Sequence, residues 1–236
     1  MNDRPVIVTG GAGGIGSAIV ARLVADGHPV AVLDLHPAPA SAAPPGSLYS
    51  YPCDIADLEA VEQAVAEFEA AVGAPFGLVN NAGWDRALPF LETGPDLVNL
   101  RGPVNVTYAV LRRLAGAGRG RVVSIASDAG RVGSSGEAVY SACKGGIIAF
   151  MKTLAREHAR QGITFNSVCP GPTDTPLLDS FDESGRLAQA LERAIPMRRL
   201  GRPEDFPGIV AFLLSDEASF ITGQTVSVSG GLSMQG

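Results

Sequence analysis

Cysteine is nearly missing from this chain: Cys53, Cys143 and Cys169 are an odd number, far apart in sequence. They form neither a CxxC pair nor a Cys/His cluster with metal-ligand spacing, which argues against a disulfide framework and a metal site and for free thiols in a reducing cytosol. Positive charge is also in short supply. Lys plus Arg number 18 against 24 for Asp plus Glu, a net charge of −6, so a nucleic acid or an anionic membrane, both of which need clustered cations, is excluded as the main partner. No apolar run approaches the roughly 18 residues of a membrane span. Pro5-Val6-Ile7-Val8 already reads as an opening strand, which leaves no room for a signal peptide and predicts a cytoplasmic protein. What the chain does have is apolar material, 46% against 18% charged residues, enough for a sizeable buried core. Its 236 residues suit one α/β domain.

Short β-branched runs alternate with longer Ala/Leu-rich amphipathic stretches, the pattern of repeated βα units on a parallel sheet. Strands are predicted at 5–9, 30–34, 48–52, 77–80, 121–126, 163–168 and 225–229, and helices near 14–26, 57–72, 96–115, 138–160 and 204–214. The expected fold is a single-domain, doubly wound Rossmann fold with a seven-stranded parallel sheet and helices on both faces. Pro37, Pro39, Pro44 and Pro45 make the crossover at 36–47 a loop. Ligands of such sheets bind beyond the carboxyl ends of the strands, at the point where strand order reverses.

After the first strand comes Thr9-Gly10-Gly11-Ala12-Gly13-Gly14-Ile15-Gly16, which leads into an apolar-periodic helix. Glycines allow a sharp turn and close approach of a pyrophosphate to the free N–H groups of a helix start. Gly10, Gly13, Gly14, Ile15 and Gly16 are therefore candidate cofactor contacts. The second strand ends in Asp34, 18 positions past Gly16, near the spacing at which a carboxylate meets the adenosine ribose hydroxyls. That carboxylate would repel a 2′-phosphate, and no Arg follows it at Leu35, so the expected cofactor is NAD and not NADP.

Tyr140-Ser141-Ala142-Cys143-Lys144 puts Tyr140 and Lys144 one turn apart on a helix face, and Ser127 stands 13 residues before Tyr140 at the end of a strand. A Ser at the sheet's carboxyl edge, a Tyr/Lys pair on the next helix and a nucleotide loop would converge on one rim. A free Tyr has a pKa near 10, so acid/base work near neutral pH needs a stabilised phenolate, which the Lys144 ammonium and a cationic nicotinamide would supply.

Over essentially its whole length the chain resembles the short-chain dehydrogenase/reductase family. Thr9 to Gly16 resembles its TGxxxGxG turn and Asn80-Asn81-Ala82-Gly83 its NNAG strand end. Tyr140 to Lys144 resembles YxxxK, Pro170-Gly171-Pro172-Thr173-Asp174-Thr175 resembles PGxxxT, and Ile221-Thr222-Gly223-Gln224 resembles its C-terminal turn. The resemblance implies a catalytic set of Asn99, Ser127, Tyr140 and Lys144. Tyr140 would shuttle the proton, Ser127 would bond the substrate oxygen, Lys144 would hold the nicotinamide ribose, and Asn99 would hold a relay water. It further implies cofactor contacts at Asp54, Ile55, Asn81, Ala82, Gly83, Tyr140, Lys144, Pro170, Gly171, Thr173 and Thr175. The stretch from Gly83 to Asn99 is shorter than in most members, as if helix were missing.

Longer stretches, from Asn80 to Asp85 and from Ser127 to Gly146, resemble the branch that oxidises a ring hydroxyl beta to a CoA thioester with NAD, the 2-hydroxycyclohexanecarbonyl-CoA dehydrogenases. A cyclic or other β-hydroxyacyl-CoA substrate follows as the expectation. A 3-oxoacyl-thioester (ACP or CoA) reductase is the alternative enzyme, and a catalytically silent nucleotide-sensing regulator the alternative of another class. Trp84 is a candidate wall for a ring, Arg131, Arg198 and Arg199 are candidates for CoA phosphates or else for local ion pairs, and 176–200 is a candidate lid. The family resemblance also implies a homotetramer.

Overall fold

The computed structural model describes residues 4–37, 46–179 and 185–234. Seven parallel strands form one sheet: β1 (Val6–Thr9), β2 (Val30–Asp34), β3 (Leu48–Pro52), β4 (Gly77–Asn80), β5 (Gly120–Ile125), β6 (Ile163–Pro170) and β7 (Thr225–Val228). Their spatial order is β3-β2-β1-β4-β5-β6-β7. Strand order reverses between β1 and β4, and that switch point opens a crevice at the carboxyl edge.

Strands of a sheet covered on both faces should be apolar at every position rather than at alternate ones. β1, β4 and β5 are buried throughout, and successive residues sort into two separate cores. Ile7, Leu78 and Val122 pack with Val61, Phe68 and Val110 on one face. Val8, Val79 and Val123 pack with Ile19, Leu23 and Val210 on the other. The first core belongs to α2 (Leu58–Val72), α4 (Val98–Ala117) and α6 (Ala138–His158), the second to α1 (Gly14–Ala25) and α9 (Pro207–Leu214).

The predicted doubly wound, single-domain fold is what the structure has. Differences lie at element ends and in short helices. β6 runs two residues past its expected end, to Pro170. α3 (Phe90–Thr93), α5 (Ala129–Val132) and α7 (Pro176–Asp179) are each four residues long, too short for a 3.6-residue period to register. α8 (Arg186–Ala194) is a further helix that the sequence pattern did not predict. Of the proline-rich crossover, Pro39, Pro44 and Pro45 lie outside the described residues. The three thiols are free and buried, and desolvation pushes Cys53 up to about 11 and Cys169 up to about 12, so neither is a nucleophile near neutral pH. Among the described residues no helix is long and apolar enough to cross a membrane.

Candidate active site

One cavity of about 1310 Å³ runs along the carboxyl edge of the sheet. At one end the turn after β1 meets the start of β4's exit loop. Gly10 has φ +64°, and a Cβ there would lie 2.6 Å from the Ala82 Cα, so only glycine fits. Asn81 and Thr9 bind the two loops together. The Thr9 hydroxyl accepts from the Asn81 and Ala82 amides, both at 3.0 Å, and the Asn81 side-chain amide donates to the Thr9 and Gly10 carbonyls at 3.1 and 2.9 Å.

Gly10, Gly13, Gly14 and Ile15 line the cavity. Gly16 does not; it packs beneath Gly10, where a Cβ would stand 2.0 Å from the Gly10 carbonyl oxygen. The turn fits a pyrophosphate. A Cβ on Gly13 would meet nothing within 4 Å, no side chain caps α1, and the first amides of a helix have no intrahelical partner.

Asp34 lies at the floor of this end with both oxygens held in place, Oδ2 by the Ala12 amide at 3.0 Å and Oδ1 by the His36 amide at 3.1 Å. Asp54 and Ile55 line the same end. Asp54 Oδ1 accepts from the Ala56 amide at 2.9 Å and the Ile55 carbonyl accepts from Asn105 at 3.0 Å. Ala82 and Gly83 follow along the wall, and Pro170, Gly171, Thr173 and Thr175 close the opposite side. Thr173 donates to the Gly171 carbonyl at 2.8 Å, which fixes the turn after β6.

At the far end stand the four residues of the expected catalytic set. β5 delivers Ser127, whose Oγ accepts from the Ala129 amide at 3.1 Å and hydrogen-bonds Tyr140. Tyr140 and Lys144 project from the first two turns of α6, with the ammonium 5.4 Å from the phenol ring centroid. Lys144 is buried and donates to the Ile125 carbonyl at 2.8 Å.

Asn99 is also buried. It forms a closed pair with Trp84: its Oδ1 accepts from the Trp84 amide at 3.0 Å and its Nδ2 donates to the Trp84 carbonyl at 2.7 Å. Pro103, inside α4, has no N–H to give to the Asn99 carbonyl one turn back. α4 has 20 residues and begins at Val98, so Asn99 is its second residue and stands in its first turn. Asn99 still reaches the site.

The electrostatics depart from the simple expectation of a phenolate held by Lys144. Desolvation, followed by the negative charge of Asp85, pushes the Tyr140 phenol above its ordinary value, and the Ser127 hydrogen bond only partly offsets this. Burial pulls Lys144 down to about 8. Burial and Asp85 thus work against the phenolate, and a further cation beside the ring would favour it.

Trp84 is half exposed on the cavity rim. The arginines fall mostly to local pairing. Arg131 is held by Ser227 at 2.9 Å and Asp128 at 3.5 Å, and Arg199 by both oxygens of Asp205 at 2.6 and 2.8 Å. Sequence reasoning missed Thr9 as a tie between loops, and it missed the meeting of Asp85 with Glu137. The latter is a tertiary event that no local spacing announces.

This arrangement matches known proteins along its length. A family model described as enoyl-(acyl carrier protein) reductase matches residues 10–233. An acetoacetyl-CoA reductase of Shinella zoogloeoides is 39% identical over 239 residues, spanning 97% of this chain and 98% of that one. The 3-oxoacyl-[acyl-carrier-protein] reductase MabA of Mycobacterium tuberculosis is 37% identical over 238 residues, spanning 98% and 94%. The crystal structure of levodione reductase superposes with a TM-score of 0.90 at 30% identity, with 97% of each chain covered. With its glycine turn, its Ser-Tyr-Lys rim and relatives that align end to end, the chain belongs to the short-chain dehydrogenase/reductase family.

Proposed function

We propose that this protein is an NAD-dependent oxidoreductase that interconverts a secondary alcohol and a ketone beta to an acyl thioester. A ring-bearing β-hydroxyacyl-CoA, of the 2-hydroxycyclohexanecarbonyl type, is its most specific substrate. The observation that carries this reading is a single cavity with a pyrophosphate turn and Asp34 at one end and Ser127, Tyr140, Lys144 and Asn99 at the other. Relatives named for acetoacetyl-CoA and 3-oxoacyl-carrier substrates support the thioester. They also favour the ketone-reducing direction as a second reading of the same site.

A dinucleotide held by the glycine turn and Asp34 would supply the hydride acceptor or donor, and in its oxidised form its nicotinamide would bring a positive charge beside the phenol. The chain supplies everything else. Ser127 donates a hydrogen bond to the substrate oxygen, on which charge develops. Tyr140 takes or returns the proton of that oxygen. Lys144, with one N–H committed to Ile125, directs its others at the ribose hydroxyls. The Asn99 carbonyl, without a helical partner because of Pro103, holds a water that links Lys144 to solvent. Of the expected lid over 176–200, residues 180–184 lie outside the described residues; Leu187 and Leu191 of α8 line the cavity and help to exclude water from it.

Asp34 decides the cofactor. Its two oxygens are pinned by backbone amides, so the carboxylate cannot swing away from an incoming 2′-phosphate. Wild-type protein assayed at 340 nm on cyclic alcohols and β-hydroxyacyl-CoA thioesters is expected to use NAD over NADP by roughly 100-fold in kcat/KM, the effect of one unscreened like charge. Asp34→Arg is expected to reverse that preference. Equal use of both cofactors by the wild type would sink the assignment. Val104 and Tyr108 are exposed on α4, and we assign that face to a homotetramer interface; gel filtration at the mass of four chains checks it, and the mass of one chain refutes it.

A further inference from the structure

Trp84 and Asn99 fix the loop after β4, and the Leu88 amide ties the same loop to the Gly136 carbonyl at 2.9 Å. This tie brings two carboxyl side chains together. Asp85 and Glu137 hydrogen-bond each other, and Glu137 also bonds Ser134. Both line the cavity, along with Trp84, Ala87 and Val132. Glu137 is the residue before α6 begins and Tyr140 lies three positions on, so the pair flanks the phenol on the substrate side. Two carboxyl groups in mutual hydrogen bond cannot both be ionised, because the bond needs a proton between them.

We infer that Asp85 and Glu137, holding one proton and one negative charge between them, select the substrate by the group that stands beside its reacting carbon. This rests on the β-oxo or β-hydroxy thioester reading above and deepens it. A neutral carbonyl, as in a thioester or ester, brings no charge to the place where the pair holds its own. A free carboxylate at the same place meets the pair's charge. Burial raises both acids, and each feels the other, which is the direction expected for a pair that keeps a proton. The cation that acts on Asp85, Lys144, is committed to the Ile125 carbonyl. The protein therefore turns over activated acids and refuses the free β-hydroxy or β-oxo acid, so the reaction that supplies its substrate must be a thioester-forming one or one that already works on thioesters.

The test uses three probes of one acyl skeleton: the 3-oxobutanoyl thioester of N-acetylcysteamine, methyl 3-oxobutanoate and 3-oxobutanoate. Each is titrated calorimetrically into protein saturated with oxidised cofactor, where no turnover takes place, and then assayed for reduction with reduced cofactor. For the wild type, the acid is expected to bind roughly 100-fold more weakly than the methyl ester, as a like charge at this range requires. Asp85→Asn and Glu137→Gln, checked for folding by their melting curves, are each expected to alter that gap by about tenfold while cofactor affinity stays within threefold. A wild type that binds acid and ester alike, or a gap that neither variant alters, overturns the inference. If the thioester is neither bound nor reduced but neutral ketones are still preferred over anionic ones and the variants alter that preference, the thioester reading fails and the carboxyl pair stands. If the thioester is reduced and the acid is bound and reduced equally well, the thioester reading stands and the carboxyl pair fails.

Discussion

Tyr140→Phe is expected to cost on the order of 10³-fold in kcat, within the range for loss of a general acid/base, while dinucleotide affinity measured by fluorescence stays within about threefold. The phenol hydroxyl bonds Ser127 at the end of β5, where the substrate oxygen is expected to sit. Removing it takes away the hydroxyl placed to carry the proton to and from that oxygen and leaves the ring in place. The pH profile carries a second signature. Because burial and Asp85 hold the phenol above its ordinary value, oxidation of the alcohol, which needs the phenolate, should rise with pH through the neutral range in the wild type. The residual activity of Tyr140→Phe should lack that rise. A variant that keeps more than a tenth of wild-type kcat would remove Tyr140 from the mechanism.

Gly16→Ala is the second large effect, and it should fall on structure as well as on binding. The added methyl would stand 2.0 Å from the Gly10 carbonyl oxygen and 2.5 Å from the Asn81 side chain. Both are atoms of the lattice that fixes the turn, and neither is the free end of a flexible chain. Overpacking of this kind costs about 1–3 kcal/mol, which for a domain of this size lowers Tm by roughly 3–10 °C, and dinucleotide affinity should drop more than 100-fold as the turn reshapes. Gly13→Ala is the control. Its methyl meets nothing within 4 Å, so Tm should hold and only the dinucleotide, which must occupy that space, should bind less well. Equal Tm values for both variants would contradict the packing described.

The sheet was legible in the sequence because strands buried on both faces leave uninterrupted apolar runs, as in Val30-Ala31-Val32-Leu33, and because each run ends where chemistry begins. Ser127, Tyr140 and Lys144 were legible too, since a strand end and one helical turn are local spacings. The short helices α3, α5 and α7, four residues each, left no such trace, because a single turn is too short to show an apolar period. The shortened segment before Asn99 speaks against that residue, and only the closed pair with Trp84 returns it to the rim. The sign of the electrostatic push on Tyr140 could not be read from YxxxK. It depends on Asp85, 55 residues earlier, and on how dry the ring is.

The Thr9 hydroxyl, which accepts from the amides of both Asn81 and Ala82, has a mechanical consequence. The chain leaves β1 and β4 at this point, and the two exit loops are held at a fixed spacing there by that oxygen together with the Asn81 side-chain amide. Slackening there would be magnified toward the mouth, where the two ends of the bound dinucleotide must be kept a fixed distance apart. The spacing of the crevice walls thus depends in part on an atom that does not line the cavity.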